Sequence, residues 1–369
     1  MIAGEASGDL HGSNLMQALL QKDADAQFRF WGGDLMKKHG GEPVKHIKDL
    51  AFMGFVEVVA NLRTILRNIK QCKEDILAYQ PDALILIDYP GFNLRIAAFA
   101  QARGIPVHYY ISPQVWAWKQ NRVHKIKKTV DYLYCILPFE KEFYAKFDME
   151  VDYVGHPLVD AIQHFKNQAI SEEAFRAKYA LSSLPILALL PGSRLQEIRK
   201  KLPIMLRAAA AFEQHEIVIA AAPNIDDQVY LDLAKDIPIK VIPNQTYQIL
   251  NQAHAAMVTS GTATLETALF HVPQVVCYKG NPVSVAIARR LVKVDYISLV
   301  NLIMGKEVVK ELIQSDLTAK NIEHYLRPLL EDGKKREELL TAYQSLENIL
   351  GGGGASDKVA GLIFERCHE

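Results

Sequence analysis

The stretch DALILID, residues 82–88, is an apolar run that ends in a carboxylate. A Tyr-Pro-Gly turn follows, and then an amphipathic pattern over 92–103. A short apolar run bounded by turn residues reads as a buried strand, and the pattern after it as a helix laid back over the sheet. The same alternation continues in both directions. PVHYYIS (106–112), DYLYCIL (131–137), PILALLP (185–191), EIVIAAA (216–222), AAMVTS (255–260) and QVVCYK (274–279) read as further buried strands, with helical stretches at 195–213 and 262–271. Buried strands alternating with helices specify parallel sheets with right-handed crossovers, so the fold class is α/β.

At 369 residues the chain is long for a single core, and two domains are expected. A polar, helical stretch at 163–184 separates two runs of the strand–helix pattern. The expected division is therefore 1–162 and 163–349, two similar half-sheets facing one another. GGGG at 351–354 reads as a hinge or a helix stop, and the last helix, within 350–369, is expected to pack back on the first domain. With 42 basic and 42 acidic residues there is no global field that points to nucleic acid. A composition of 49% hydrophobic and 23% charged residues describes a globular chain. Cys72, Cys135, Cys277 and Cys367 form no C-x-x-C pair and read as reduced, buried thiols of a cytoplasmic protein. No apolar run reaches the length of a membrane span and no signal peptide is visible, so membrane contact is expected to be peripheral. The first turn comes so early that the start of the chain reads as clipped.

Several strand ends carry candidate chemistry. IAGEASGDLHG (2–12) spaces Gly4, Gly8 and Gly12 four apart, which matches neither the dinucleotide fingerprint nor the P-loop. Asp88 stands where ligand sites of open α/β sheets lie, either as a general base or as a cap of the following helix. In LLPGSRLQEI (189–198), the backbone N–H groups of Gly192 and Ser193 with the Arg194 fork suit a diphosphate, against an ordinary turn with a surface arginine. TSGTATLETALF (259–270) repeats the arrangement with Ser260, Gly261, Thr262 and Thr264 as donors. Glu266 repels phosphate and suits a ribose diol, unless it is merely favoured by the helix dipole.

FMGFVEVVANLRTILRNIK (52–70) sets Val56, Val59, Leu62, Ile65 and Leu66 beside Arg63, Arg67 and Lys70. That pattern fits an interfacial helix or a groove for an acylated ligand, or else a core or dimer helix. In SPQVWAWKQNRVHKIKK (112–128), Trp116 and Trp118 either stack on a sugar or wall a cleft, and the basic run is a solvated face or meets anionic headgroups. His11 and His156 read as structural, and no His/Cys/carboxylate spacing suggests a metal.

In this order, AGEASGDLHG, MGFVEV, ID-x-P-x-FN, SPQVWAWK, LPFEK, VGHPL, LLPGSR, SGTATLE and RLVKVDYISLVNL resemble the lipid-A-disaccharide synthase family, inverting glycosyltransferases of the two-lobed GT-B fold. The resemblance implies transfer of a diacylated glucosamine from UDP to the 6-hydroxyl of diacylglucosamine 1-phosphate, in Gram-negative lipid A synthesis. It implies no cofactor and no metal, peripheral attachment to the cytoplasmic face of the inner membrane, and no nucleic-acid partner, and it leaves an oligomer open. The acceptor would bind the N-terminal lobe and UDP the C-terminal lobe. Asp88 maps onto the family's general base, Glu5 and Ser7 onto its N-terminal active-site loop, and Arg194 and Asn301 onto its donor side. The remaining donor contacts would be Gly192, Ser193 and Ser260 to Thr262 on diphosphate and Glu266 on ribose. Gly91 departs from the family, where many members carry a second aspartate. The rival readings are another GT-B UDP-sugar enzyme, either a glucosaminyltransferase or an epimerase, and a lipid or nucleotide binding protein without turnover.

Overall fold

The computed structural model describes residues 1–50, 62–118, 120–281 and 294–368. The chain divides into two compact units, residues 1–157 with 353–369, and residues 158–352. The division falls at the start of the helix Pro157–Lys166, five residues before the boundary read from the sequence. That helix buries Leu158 and Ile162 in the core of the second unit, so it belongs there from its first turn.

The first unit holds a seven-stranded parallel sheet of β1 (Ile2–Ala3), β2 (Arg29–Gly32), β3 (Glu42–His46), β4 (Leu84–Ile87), β5 (Val107–Tyr110), β6 (Tyr132–Cys135) and β7 (Asp152–Tyr153). Its order is β3-β2-β1-β4-β5-β6-β7. The second unit holds a six-stranded parallel sheet of β8 (Ile186–Leu190), β9 (Glu216–Ala221), β10 (Lys240–Pro243), β11 (Ala253–Thr259), β12 (Gln274–Tyr278) and β13 (Lys310–Ile313), ordered β10-β9-β8-β11-β12-β13. Central strands such as LILI in β4 and ILALL in β8 are buried throughout because helices cover both faces. The edge strands EPVKH and KELI are only partly buried and carry charges, which suits an edge.

The last helix, Ala355–His368, packs on the helix Ala6–Lys22 of the first unit, burying Val359, Ala360 and Ile363 in that core. Arg366 locks it with an ion pair to Asp152 at 2.9 Å and a donation to the Tyr134 hydroxyl at 3.1 Å. Cys72, Cys135 and Cys277 are buried and Cys367 is exposed, all four as free thiols. No helix among the described residues is long and apolar enough to cross a membrane.

Candidate active site

Each sheet changes winding direction once. In the first, β1 to β3 run to one side and β4 to β7 to the other, so the chain diverges between β1 and β4. In the second, the divergence lies between β8 and β11. Ligands in open parallel sheets bind beyond the carboxyl ends of the strands at such a point, where two loops part and leave a crevice. Glu5 and Asp88 follow β1 and β4; the Gly192–Arg194 and Ser260–Thr262 turns follow β8 and β11. A cavity of about 590 Å³ lies at the other end of the first sheet, lined by Met1, Arg29, Asp75 and Pro81, away from these residues.

At the first divergence, Ile2 and Ala3 pair with Leu86 and Ile87, which brings Gly4 and Glu5 alongside Asp88 and Tyr89. Gly4 is required by space: a Cβ there would fall 2.3 Å from the Tyr89 ring. A Cβ at Gly12 would meet the Met36 sulfur at 2.7 Å and displace that side chain. Glu5 opens the helix Ala6–Lys22, and Ser7 is exposed in its first turn. Burial, then the neighbouring Glu5 charge, pushes the Asp88 carboxyl up to about 6, against a hydrogen bond from the Tyr89 N–H that pulls it down. Asp9 is buried and caps a different helix from its own. Its carboxylate accepts from Gly33 N at 2.7 Å, Leu35 N at 3.0 Å and Met36 N at 3.1 Å, at the start of the helix Asp34–Lys37. Gly91 is exposed, with nothing within 4 Å of where a Cβ would stand.

At the second divergence, Gly192 takes φ +117° and Gly261 φ +148°, conformations that L side chains rarely adopt. Ser193 and Arg194 are exposed at the start of the helix Leu195–Ala209, with Arg194 3.6 Å from Glu197. Beneath the turn lies Lys201, only 1% exposed, whose ammonium meets Glu197 at 3.3 Å. Burial lowers its pKa and Glu197 opposes the shift. Thr262 is exposed at the start of the helix Thr262–Leu269. Thr264, by contrast, is buried and donates to Gly261 O at 2.8 Å, so its hydroxyl belongs to the helix. Glu266 is half-buried, accepts from Tyr247 OH at 3.1 Å, and has its pKa raised by burial.

Ser260 and Asn301 are tied into one bracket. Ser260 Oγ donates to Ile297 O at 2.8 Å. Asn301 is fully buried, its amide donating to Val309 O and Glu311, both at 2.9 Å, and accepting from Val308 N and Val309 N. Glu311 also accepts from Ile297 N and Ser298 N. Asn301 has spent its full hydrogen-bonding capacity on the loop, so it shapes this side of the site from behind. Glu311 and Tyr247 carried no sequence signal, since each acts through a partner ten or more residues away along the chain; Lys201 pairs with Glu197 on its own helix, but its burial is set by the tertiary packing.

Trp116 is buried edge-on against Phe139 as part of the wall, while Trp118 is 44% exposed beneath Arg122. On the helix Leu62–Tyr79, Leu62 and Leu66 are 50% and 55% exposed between exposed Arg63, Arg67 and Lys70, and Ile65 is half-buried. Val56 and Val59 lie outside the described residues. Among the described residues, no three His, Cys, Asp or Glu side chains are grouped as a metal site.

The lipid-A-disaccharide synthetase family model matches residues 1–352. The chain belongs to this family. It is 37% identical to the lipid-A-disaccharide synthase of Trichlorobacter lovleyi, covering 100% of this chain and 97% of that one. It is 38% identical to that of Syntrophus aciditrophicus, over 98% and 95% of the two chains. Among solved structures, the UDP-GlcNAc 2-epimerase of Neisseria meningitidis aligns with TM-score 0.67 at 14% identity, over 97% of each chain. At that identity the likeness speaks for the fold alone, the GT-B plan of two parallel-sheet domains. As a lipid-A-disaccharide synthase family member, the chain is a glycosyltransferase.

Proposed function

We propose that this enzyme moves a 2,3-diacylglucosamine from its UDP donor to the 6-hydroxyl of 2,3-diacylglucosamine 1-phosphate, giving a β-1,6 disaccharide 1-phosphate and UDP. The observation that carries the mechanism is Asp88, a carboxylate at the first sheet's divergence with its pKa raised to about 6. A base with a pKa near the working pH is ionised yet still basic enough to accept a proton in the transition state. Asp88 takes the acceptor hydroxyl proton as the hydroxyl oxygen attacks C1 from the face opposite UDP, and the C1–O bond to UDP breaks. Glu5 and Ser7 hold the acceptor or transferred sugar beside it.

The departing diphosphate gains negative charge. Backbone N–H groups at Gly192 and Ser193, the Arg194 fork, and the Gly261–Thr262 turn with Thr262 Oγ1 meet that charge at two helix N-termini. Glu266 accepts from the ribose hydroxyls, and Ser260 and Asn301 fix the loop around them. The N-terminal unit takes the acceptor and the C-terminal unit the UDP. The helix Leu62–Tyr79 rests on the inner membrane surface through Leu62, Ile65 and Leu66, with Val56 and Val59 upstream, its cations toward anionic headgroups.

The test is incubation with both acylated glucosamines, reading UDP release and disaccharide formation. Release of UDP with disaccharide is expected from the native enzyme and near-loss of both from Asp88→Ala. Turnover of Asp88→Ala at the parent rate would remove Asp88 as base. Epimerisation of a soluble UDP-sugar without disaccharide formation would replace the reading altogether.

A further inference from the structure

Both backbone ends of Asp88 are anchored. Its N–H continues the ladder to Tyr110 O at 3.0 Å. Its carbonyl accepts two side-chain donors from two other elements, Tyr109 OH at 2.6 Å from β5 and Asn93 Nδ2 at 2.8 Å from the helix Pro90–Gln101. Tyr109 and Asn93 are both fully buried. The Asn93 amide also reaches Ile87 O at 3.3 Å and Ile2 O at 3.4 Å, which joins β4 and β1 at the divergence.

These bonds hold an unfavourable backbone. Asp88 and Tyr89 are consecutive non-glycine residues with φ +44° and +49°. A left-handed conformation is unfavourable for a residue with a Cβ, and it persists only where the surroundings over-determine it. Here the surroundings are Tyr109 and Asn93 on one peptide, and Tyr89 OH on Leu50 O at 2.9 Å beyond it. With the N–H and C=O of Asp88 both fixed, the direction of its Cα–Cβ bond is fixed, and only side-chain torsions remain. Burial, then the Asp88 charge, holds the Tyr109 phenol far above its ordinary pKa, so its hydroxyl stays a donor across the working range.

We infer that Tyr109 and Asn93 are positioning residues for Asp88: through its carbonyl they hold the left-handed turn that aims the carboxylate at the acceptor hydroxyl. The inference rests on Asp88 being the base. Both side chains are fully buried, and at this turn what they reach is backbone carbonyl oxygen.

The test is Tyr109→Phe, which removes one oxygen and keeps the ring, with Asn93→Ser as an independent removal of a donor to the same carbonyl. Each is expected to lower kcat about 10- to 100-fold, the loss typical of a misplaced reacting group, with KM for both substrates nearly unchanged. The acid limb of the kcat profile, near pH 6 in the parent through Asp88, is expected to fall as the carboxylate gains water. In an Asp88→Ala background, Tyr109→Phe is expected to cost nothing further. Parent-like kcat and pH limb in folded Tyr109→Phe and Asn93→Ser, with Asp88→Ala inactive, would overturn the positioning role alone. An equal loss on top of Asp88→Ala would overturn it too, since the hydroxyl would then act apart from Asp88. Parent turnover by Asp88→Ala would instead remove the base, and the positioning role with it.

Discussion

The two sheet divergences share a topology and differ in chemistry. The one between β1 and β4 carries carboxylates, and its strained residues are Asp88 and Tyr89, held by buried side chains. The one between β8 and β11 carries hydroxyls, an arginine and two glycines at positive φ. At Gly261 nothing lies within 4 Å of where a Cβ would stand, whereas at Gly192 a Cβ would meet the Glu197 carboxylate at 2.7 Å. At the first divergence the proposed reagent is a side chain, so the strain falls on a residue with a Cβ. Topology supplies two crevices, and residue type makes one suited to accepting a proton and the other to holding an anion.

Removing the carboxylate is the strongest way to break this contrast. Asp88→Asn is expected to lower kcat by about 10²- to 10⁴-fold, the usual worth of a general base, with donor KM little changed. The same variant is expected to be the more stable protein at neutral pH. The folded pKa is raised from 3.8 to about 6, so stability from the protonated form is full below the lower value and lost as pH rises through the upper one. A neutral isostere avoids that loss, which a thermal melt at pH 8 against pH 4 will read.

On the donor side, Arg194→Ala is expected to lower kcat/KM by about 10²-fold, as for one lost donor to a developing anion, and to weaken inhibition by UDP. A variant with unchanged UDP inhibition would detach Arg194 from the diphosphate. The pH profile of the parent separates the two crevices without mutation. With Asp88 as the proposed base, kcat/KM is expected to fall about tenfold per pH unit below an acid limb, expected near the raised Asp88 pKa of about 6. A limb near 4 would mean that the carboxylate is hydrated in the working enzyme.

Smaller effects are expected away from the reacting atoms. Leu62→Ser and Leu66→Ser are each expected to lower partition onto anionic vesicles about tenfold, the worth of one buried leucine, with no change in turnover of a short-chain soluble substrate. Equal partition would leave the helix a core or dimer element. Gly91→Asp is expected to leave turnover nearly unchanged and to add about 0.3–1 kcal/mol of stability by placing a negative charge in the first turn of an N-terminal dipole. A large gain in rate would show that the missing second aspartate had a catalytic part.

Much of the fold is legible because the central strands are buried on both faces and therefore continuous in apolar residues. LILI at 84–87 and ILALL at 186–190 announce themselves. The edge strands EPVKH, KVIP and KELI do not, because partial burial leaves no apolar run to read. The positions of Asp88, Gly192–Arg194 and Ser260–Thr262 follow from their places after strands. Their working state does not. Asn301 reads as a donor contact in sequence, yet its amide is saturated by Val308, Val309 and Glu311. Asp9 lies inside the helix Ala6–Lys22, yet its carboxylate caps the helix that starts at Asp34.

The sequence by itself determined the α/β class, the family and the strand ends that carry chemistry, since local periodicity and ordered motifs encode all three. Only the tertiary structure decided which polar groups remain available. Hydrogen-bond capacity is spent between residues far apart in the chain, as Tyr109 spends its hydroxyl on Asp88 across two strands. No local pattern records such a pairing, because it exists only once parallel strands lie side by side.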